Sequence, residues 1–249
     1  MNDFREPMRL REANLSPGLH AAEILENAGM RSCIVGDFMA KMLGFPLNSC
    51  EFYLAVADEQ VKTARSLLIV MHGFTEVPQT QFFDEHATQE SQRGWPGHRM
   101  VADSKVHPES AAEVMLVPAT YWHLDLSRAK VISDTFVHTR SFCRFPRILT
   151  YFYALTNVLS KRHERPGLNR AITKYFETQY SHLLAVLPKD ILRDLRPEDR
   201  FFVDLFDKVL APSARKKVCS YRKKIRDGLI SVEDAKAAIA RKDIGLAAI

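Results

Sequence analysis

One stretch, Arg31–Val56 (RSCIVGDFMAKMLGFPLNSCEFYLAV), constrains this chain more than any other. Its order is strand, glycine turn, short helix, Gly-Pro break, second strand. Cys33-Ile34-Val35 is a short apolar run closed by Gly36. Asp37 stands where a helix N-cap is wanted, and Gly44 where a left-handed C-terminal residue is wanted. In the second run Cys50, Phe52, Leu54 and Val56 fall on one face, and Glu51, Tyr53 and Ala55 on the other. Such a unit presents a helix N-terminus and a row of side chains to one place.

The flanking sequence continues the alternation. Ser16-Pro17 opens a helix on which Leu19, Ala22, Leu25 and Ala28 recur, and Gly29 ends it. Asp58 is expected to cap a helix carrying Val61, Ala64, Leu68 and Met71, stopped by Gly73. Phe74–Val77 reads as a brief strand. From Pro78 to Ser110 the pattern weakens, with one strand at His98–Asp103. A connection of that length is either a functional lid or a mobile insertion. Order returns at Glu113–Val117, ended by Pro118, and another short strand is expected near Val131-Ile132 or at Thr135–Val137. Tyr121 and Trp122 read as core at a strand end rather than as a platform for a base or sugar.

From Pro146 onward the sequence predicts helices and no strands. Ile148, Leu149, Phe152, Leu155 and Leu159 make one stripe. Asn169 caps the next helix, with Ile172, Phe176, Leu183, Val186 and Leu187 inward, and Pro197 starts a third with Phe201, Phe202, Leu205 and Val209 inward. Pro212-Ser213 introduces a basic helix ended by Gly228, and Ser231–Asp234 is a capping box before an alanine-rich helix. The expected fold is α+β: a small mixed sheet with flanking helices over residues 1–145, then a C-terminal helical bundle over 146–249.

Composition excludes several classes. No apolar run approaches the length of a membrane span, so no membrane partner is expected. The opening residues mix both charge signs around no apolar centre, which reads as a surface arm rather than a secretory signal. Four cysteines (Cys33, Cys50, Cys143, Cys219) form no C-x-x-C pair, a reduced pattern that places the protein in the cytoplasm or another intracellular compartment. Six histidines between His72 and His138 lack any compact ligand spacing, so no metal site is expected from them. The formal charge is +5, and Arg215, Lys216, Lys217, Arg222, Lys223, Lys224 and Arg226 cluster near the C-terminus. That cluster reads as a solvated helix face, with phosphate or nucleic-acid binding as the alternative.

The run Ala28-Gly29-Met30-Arg31-Ser32-Cys33-Ile34-Val35-Gly36, then Phe45-Pro46 and Cys50-Glu51-Phe52-Tyr53-Leu54, resembles the "AGxRxCVVG" strand-and-turn of fungal nucleotidyltransferase-like proteins. These belong to the nucleotidyltransferase superfamily, the polymerase-beta-like fold. Val117-Pro118-Ala119, Trp122-His123-Leu124 and Phe145-Pro146-Arg147 are weaker echoes. The resemblance implies transfer of a nucleoside phosphate by two metal ions. Magnesium would need two carboxylates two residues apart on one strand and a third from a neighbouring strand. A Gly-Gly or Gly-Ser turn would bring backbone N–H groups to the triphosphate.

This sequence departs from that pattern twice. The turn is Gly36-Asp37, which puts an acid where a phosphate would sit, and the paired-acid strand reads Glu51-x-Tyr53. A phenol, neutral to about pH 10, is no magnesium ligand under ordinary conditions. The first expectation is therefore a nucleotidyltransferase-fold pseudoenzyme with a degenerate metal site, serving as a ligand-binding or regulatory module. One alternative is an active transferase on a non-standard site in the same cleft, taking a nucleotide or small molecule, with magnesium if active. Its catalytic residues would be Glu51, Asp37 and Glu113, and its ligand-binding residues Gly36, Arg31 and Tyr53. The other is a nucleic-acid- or protein-binding module led by the basic helix. Each residue also has a plain structural reading: Asp37 as a cap, Glu51 as an exposed strand residue, Tyr53 as a core aromatic, Arg31 as the partner of an acid at the sheet edge.

Overall fold

Apolar residues at helical spacing bury Leu19, Ala22 and Leu25 on the first helix, α1 (Gly18–Asn27), which feeds strand β1 (Ser32–Val35). The computed structural model describes residues 18–45, 51–78, 96–103, 113–139, 142–164, 170–209 and 211–240. Helix α2 (Asp37–Met42) follows β1 at once, and β2 (Glu51–Val56) returns antiparallel to β1, with Val35 opposite Tyr53. Gly44, at φ 96, ends α2: its N–H reaches Lys41 O and the Phe45 N–H reaches Ala40 O. Ser16, Pro17, Pro46 and Cys50 lie outside the described residues.

Helix α3 (Val61–His72) and strands β3 (Phe74–Val77), β4 (His98–Ala102) and β5 (Glu113–Pro118) complete the main sheet. Its order is β1-β2-β5-β4-β3. Only β2 and β5 are parallel, in the register Glu51–Glu113, Tyr53–Met115. The fold class is the expected α+β arrangement. Strand β2 is internal, between β1 and β5, and Phe52 through Val56 are all buried, so the sheet is covered on both faces there. Helix α4 (Arg128–Asp134) and the hairpin β6 (Thr135–Val137) with β7 (Arg144–Pro146) follow. Of the two positions expected for a strand here, Thr135–Val137 is the strand and Val131-Ile132 is helical.

The remaining elements are helices α5 (Ile148–Glu164), α6 (Arg170–Val186), α7 (Lys189–Arg193), α8 (Pro197–Leu205), α9 (Pro212–Arg226) and α10 (Val232–Ala240). Contacts divide the chain into two units: Met1–Leu155 with Asn169–Ala185, and Thr156–Leu168 with Val186–Ile249. Helix α6 thus groups with the sheet, and the division at Leu155 falls within α5. In the second unit Ser231 caps α10 as expected, its Oγ accepting the Asp234 N–H at 3.0 Å, and its hydroxyl donates to Asp234 Oδ2 at 2.8 Å in place of the reciprocal backbone bond of a full capping box. Among the described residues no helix is long and apolar enough to cross a membrane.

Four local expectations change. Asp58 does not cap α3: it lies in a 3-10 turn (Asp58–Gln60), and its carboxylate accepts the N–H and hydroxyl of Thr120 instead. Met71 is 69% exposed, because the inward stripe of α3 is complete with Val61, Ala64 and Leu68. On α5 the buried face turns away from Leu149 and takes in Tyr151 and Val158. Arg222 is not on the solvated face of α9: it is buried against Asp199. The cap expected from Asn169 lies outside the described residues.

Candidate functional site

The turn after β1 is built by Gly36, at φ 70 and ψ −144, a conformation that residues with a Cβ avoid. Gly36 itself is the N-cap of α2, and Asp37 is the first helical residue, so Asp37 is not the cap that its position in the sequence suggests. The exposed N–H groups of such a turn are what a phosphate would need. Here they have partners already. The Gly36 N–H donates to Tyr151 Oη at 3.0 Å, and the Asp37 N–H donates to Tyr175 Oη at 3.2 Å. Gln179 Nε2 donates to the Asp37 carboxylate, and the Tyr151 hydroxyl lies 3.5 Å from Gln179 Oε1.

Two helices supply these groups. Tyr151 comes from the first turn of α5. Tyr175 and Gln179 are four residues apart on α6 and therefore lie on one face of it. Burial raises the Tyr151 and Tyr175 hydroxyls well above the ordinary tyrosine range, and the Asp37 carboxylate raises both further. Each hydroxyl is neutral at neutral pH and gives its oxygen to a backbone N–H.

Tyr53 is fully buried at the centre of this group. Its ring lies 5.5 Å from that of Tyr175 and 6.3 Å from that of Trp122, which in turn stacks on Tyr151 at 6.1 Å. Phe176 meets Trp122 edge-on at 4.7 Å. A Cβ on Gly36 would collide with the Tyr175 hydroxyl and stand 2.9 Å from Tyr53 Cδ2. The turn is sealed by aromatic side chains at van der Waals density.

The other expected residues separate into two places. Antiparallel pairing of Val35 with Tyr53 brings the start of β2 to the Gly36 end of the sheet, and the parallel register sets Glu113 beside Glu51. Gly36, Asp37, Glu51, Tyr53 and Glu113 therefore gather at one end. The Glu113 carboxylate is held by one edge of the Arg99 guanidinium, with Arg99 Nε at 2.9 Å from one oxygen and Nη2 on the other. Arg31 sits at the opposite end of β1, roughly 16 Å away at about 3.3 Å per residue. Its guanidinium holds Leu126 O at 2.8 Å and the Glu59 carboxylate.

Tyr151, Tyr175 and Gln179 were invisible as site residues in the sequence. The one available signal was their spacing: hydrogen-bonding side chains at the margin of otherwise apolar stripes on α5 and α6. A magnesium pair does not fit the side chains described. Tyr53 offers a buried phenol where a carboxylate is needed, Asp37 accepts from Gln179, and Glu113 is neutralised by Arg99. Among the described residues no three His, Cys, Asp or Glu side chains gather as a metal-binding group.

No protein-family model matches the sequence, and no curated protein matches it. Among solved structures, the chain is similar to an antigenic nucleotidyltransferase-like protein from Paracoccidioides brasiliensis. The TM-score is 0.43 and the identity 13%, over 80% of this chain and 90% of that one.

Proposed function

We propose that this chain is a nucleotidyltransferase-like protein that has lost the transfer reaction and acts as a non-catalytic binding or regulatory module. The observation that carries the reading is the pair of hydroxyls, Tyr151 and Tyr175, on the N–H groups of Gly36 and Asp37. A triphosphate entering that turn would have to displace two buried tyrosine hydroxyls from these N–H groups, a loss of about 0.5–1.5 kcal/mol for each hydrogen bond broken. The family reading rests on the Ala28–Gly36 motif and on the α1-β1-α2-β2 order that follows from it, with β5 parallel beside β2. The phenol at Tyr53 and the pairing of Glu113 with Arg99 support loss of the metal pair.

One observation favours the active alternative: Glu51 and Glu113 are register partners on adjacent parallel strands, so two acidic residues stand side by side at the end of the sheet. Thermal unfolding of the full chain with nucleoside triphosphates, with and without magnesium or manganese, separates the two readings. The non-catalytic reading predicts no metal-dependent rise in the unfolding midpoint. A rise that requires metal and disappears in Glu51→Ala supports the transferase.

A further inference from the structure

A second concave site lies within the helical unit, between the last turns of α5 and the second half of α9, with a volume of about 130 Å³. It is lined by Ser160, Lys161 and Glu164 on α5 and by Arg222, Lys223 and Arg226 on α9. These positions recur at three- and four-residue spacing, so each set occupies one helix face and the two faces share one seam. Helices that meet along such a seam ordinarily fill it with apolar side chains. This seam carries four cations and the Glu164 carboxylate, with Arg222 paired to Asp199 and Arg226 Nε donating to Asp227 Oδ1 at 3.0 Å.

Arg222 forms its floor. The side chain is 4% exposed, and its charge is balanced by Asp199, itself fully buried. Its Nε and Nη2 donate to Asp199 Oδ1 at 3.0 and 2.6 Å, Nη2 also to Asn157 Oδ1 at 3.0 Å, and Nη1 to Ser160 Oγ at 3.0 Å. That accounts for four of the five N–H groups a guanidinium carries. The fifth, on Nη1, has no acceptor among the described residues, although buried donors ordinarily find one. An acceptor is therefore wanted at the floor, and Lys161, Lys223 and Arg226 surround it with positive charge. Helix α9 contains no acidic residue in its fifteen positions.

We propose that this pocket binds a phosphate group, free or as a terminal monoester, with Arg222 Nη1–H as the floor donor and Lys161, Lys223 and Arg226 as the charged rim. A dianion supplies the missing acceptor and offsets the excess positive charge, and charge-assisted bonds of this kind are the strong ones. The volume is of the order of a cavity that takes one benzene ring, ~150 Å³. A phosphate group enters, and whatever it is esterified to remains outside. Glu164 opposes the anion and sets a weak affinity. The proposal is independent of the state of the Gly36 turn.

The test is titration of the full chain with inorganic phosphate, followed by ³¹P line broadening and calorimetry at constant ionic strength. A 5′-phosphorylated dinucleotide and the same dinucleotide without the phosphate are the second arm. Saturable binding is expected, with the phosphorylated dinucleotide bound and the unphosphorylated one not. Lys223→Glu with Arg226→Glu should weaken binding by about tenfold or more, while Lys216→Glu with Lys217→Glu, on the same helix outside the pocket, should change it by less than about twofold. All four side chains are exposed, so folding is preserved, and Arg222 is left intact because Asp199 depends on it. Absence of saturable binding, equal loss in both double variants, or equal binding of the two dinucleotides would overturn the proposal.

Discussion

The hydroxyl of Tyr151 accepts the backbone N–H of Gly36 at 3.0 Å, across 115 residues of chain. This bond, with its neighbour from the Asp37 N–H to Tyr175 Oη, makes the turn after β1 a closed piece of core. Tyr151→Phe keeps the ring and removes the acceptor. The buried N–H then stands alone, and the variant should lose about 1–3 kcal/mol of stability. Urea unfolding of the variant beside the parent measures this directly, and an unchanged midpoint would show that the bond contributes nothing.

Gly36→Ala is predicted to be worse. The residue must hold φ 70 while its new methyl meets the Tyr175 hydroxyl and Tyr53 Cδ2. Strained backbone and overpacking together cost about 2–5 kcal/mol. Combining it with Tyr175→Phe should recover part of the loss, since the closest clashing atom is removed, and a double-mutant cycle reads that coupling.

In the helical unit, Asp199→Asn leaves the Arg222 charge buried without its counter-ion. Breaking such a pair costs about 3–5 kcal/mol. Arg196, which also reaches Asp199 at 2.9 Å, is 53% exposed and cannot be the dominant partner. Arg196→Ala should therefore cost far less than Asp199→Asn, as thermal unfolding of the two will show.

The thiols provide a chemical reading of burial. Cys33, Cys143 and Cys219 are all buried thiols outside any disulfide, and burial pushes the Cys33 and Cys219 thiols up to about 12. Thiolate is the reactive form, so all three should resist a thiol reagent at neutral pH until the protein unfolds. Rapid modification of any of them in the folded protein, followed by peptide mapping, would contradict the packing described.

Acid should weaken the sheet edge. Glu76 is held below the ordinary carboxylate value of 4.5, first by the hydrogen bond from Arg65 and next by that from His98. A carboxyl lowered in the folded state adds stability that is complete above its unfolded value and is lost as pH falls through its folded value. The loss begins below about pH 4.5. Glu76→Gln should flatten the stability profile in that window, because the variant already lacks, above it, the stability that the parent loses on acidification. The effect is modest because the carboxylate is a third exposed and screened by salt.

The sequence made the scaffold legible because its signals are local. Gly44 at the end of α2, the apolar run before Gly36 and the cap at Ser231 each act within a few residues. The same kind of reading failed at Asp58 and Asp37. A short acid before a helix looks like a cap, and nothing nearby in sequence announces that Thr120 or Gln179 will take its carboxylate. Tyr53 was visible as a departure from a two-acid strand. That departure becomes meaningful only beside Tyr175 and Trp122, more than sixty residues away. Arg222 was hidden for the opposite reason: seven cations in one helix read as a solvated face, and one of them turns inward to Asp199.

In the function proposed above, the Gly36 turn does not receive a triphosphate for transfer. The most direct measurement is incorporation of label from each nucleoside triphosphate by the full chain, with magnesium and with manganese, over a range of small-molecule, protein and RNA acceptors. The account predicts no incorporation above that of a denatured control. Metal-dependent incorporation by the parent, abolished by Glu51→Ala, would contradict it.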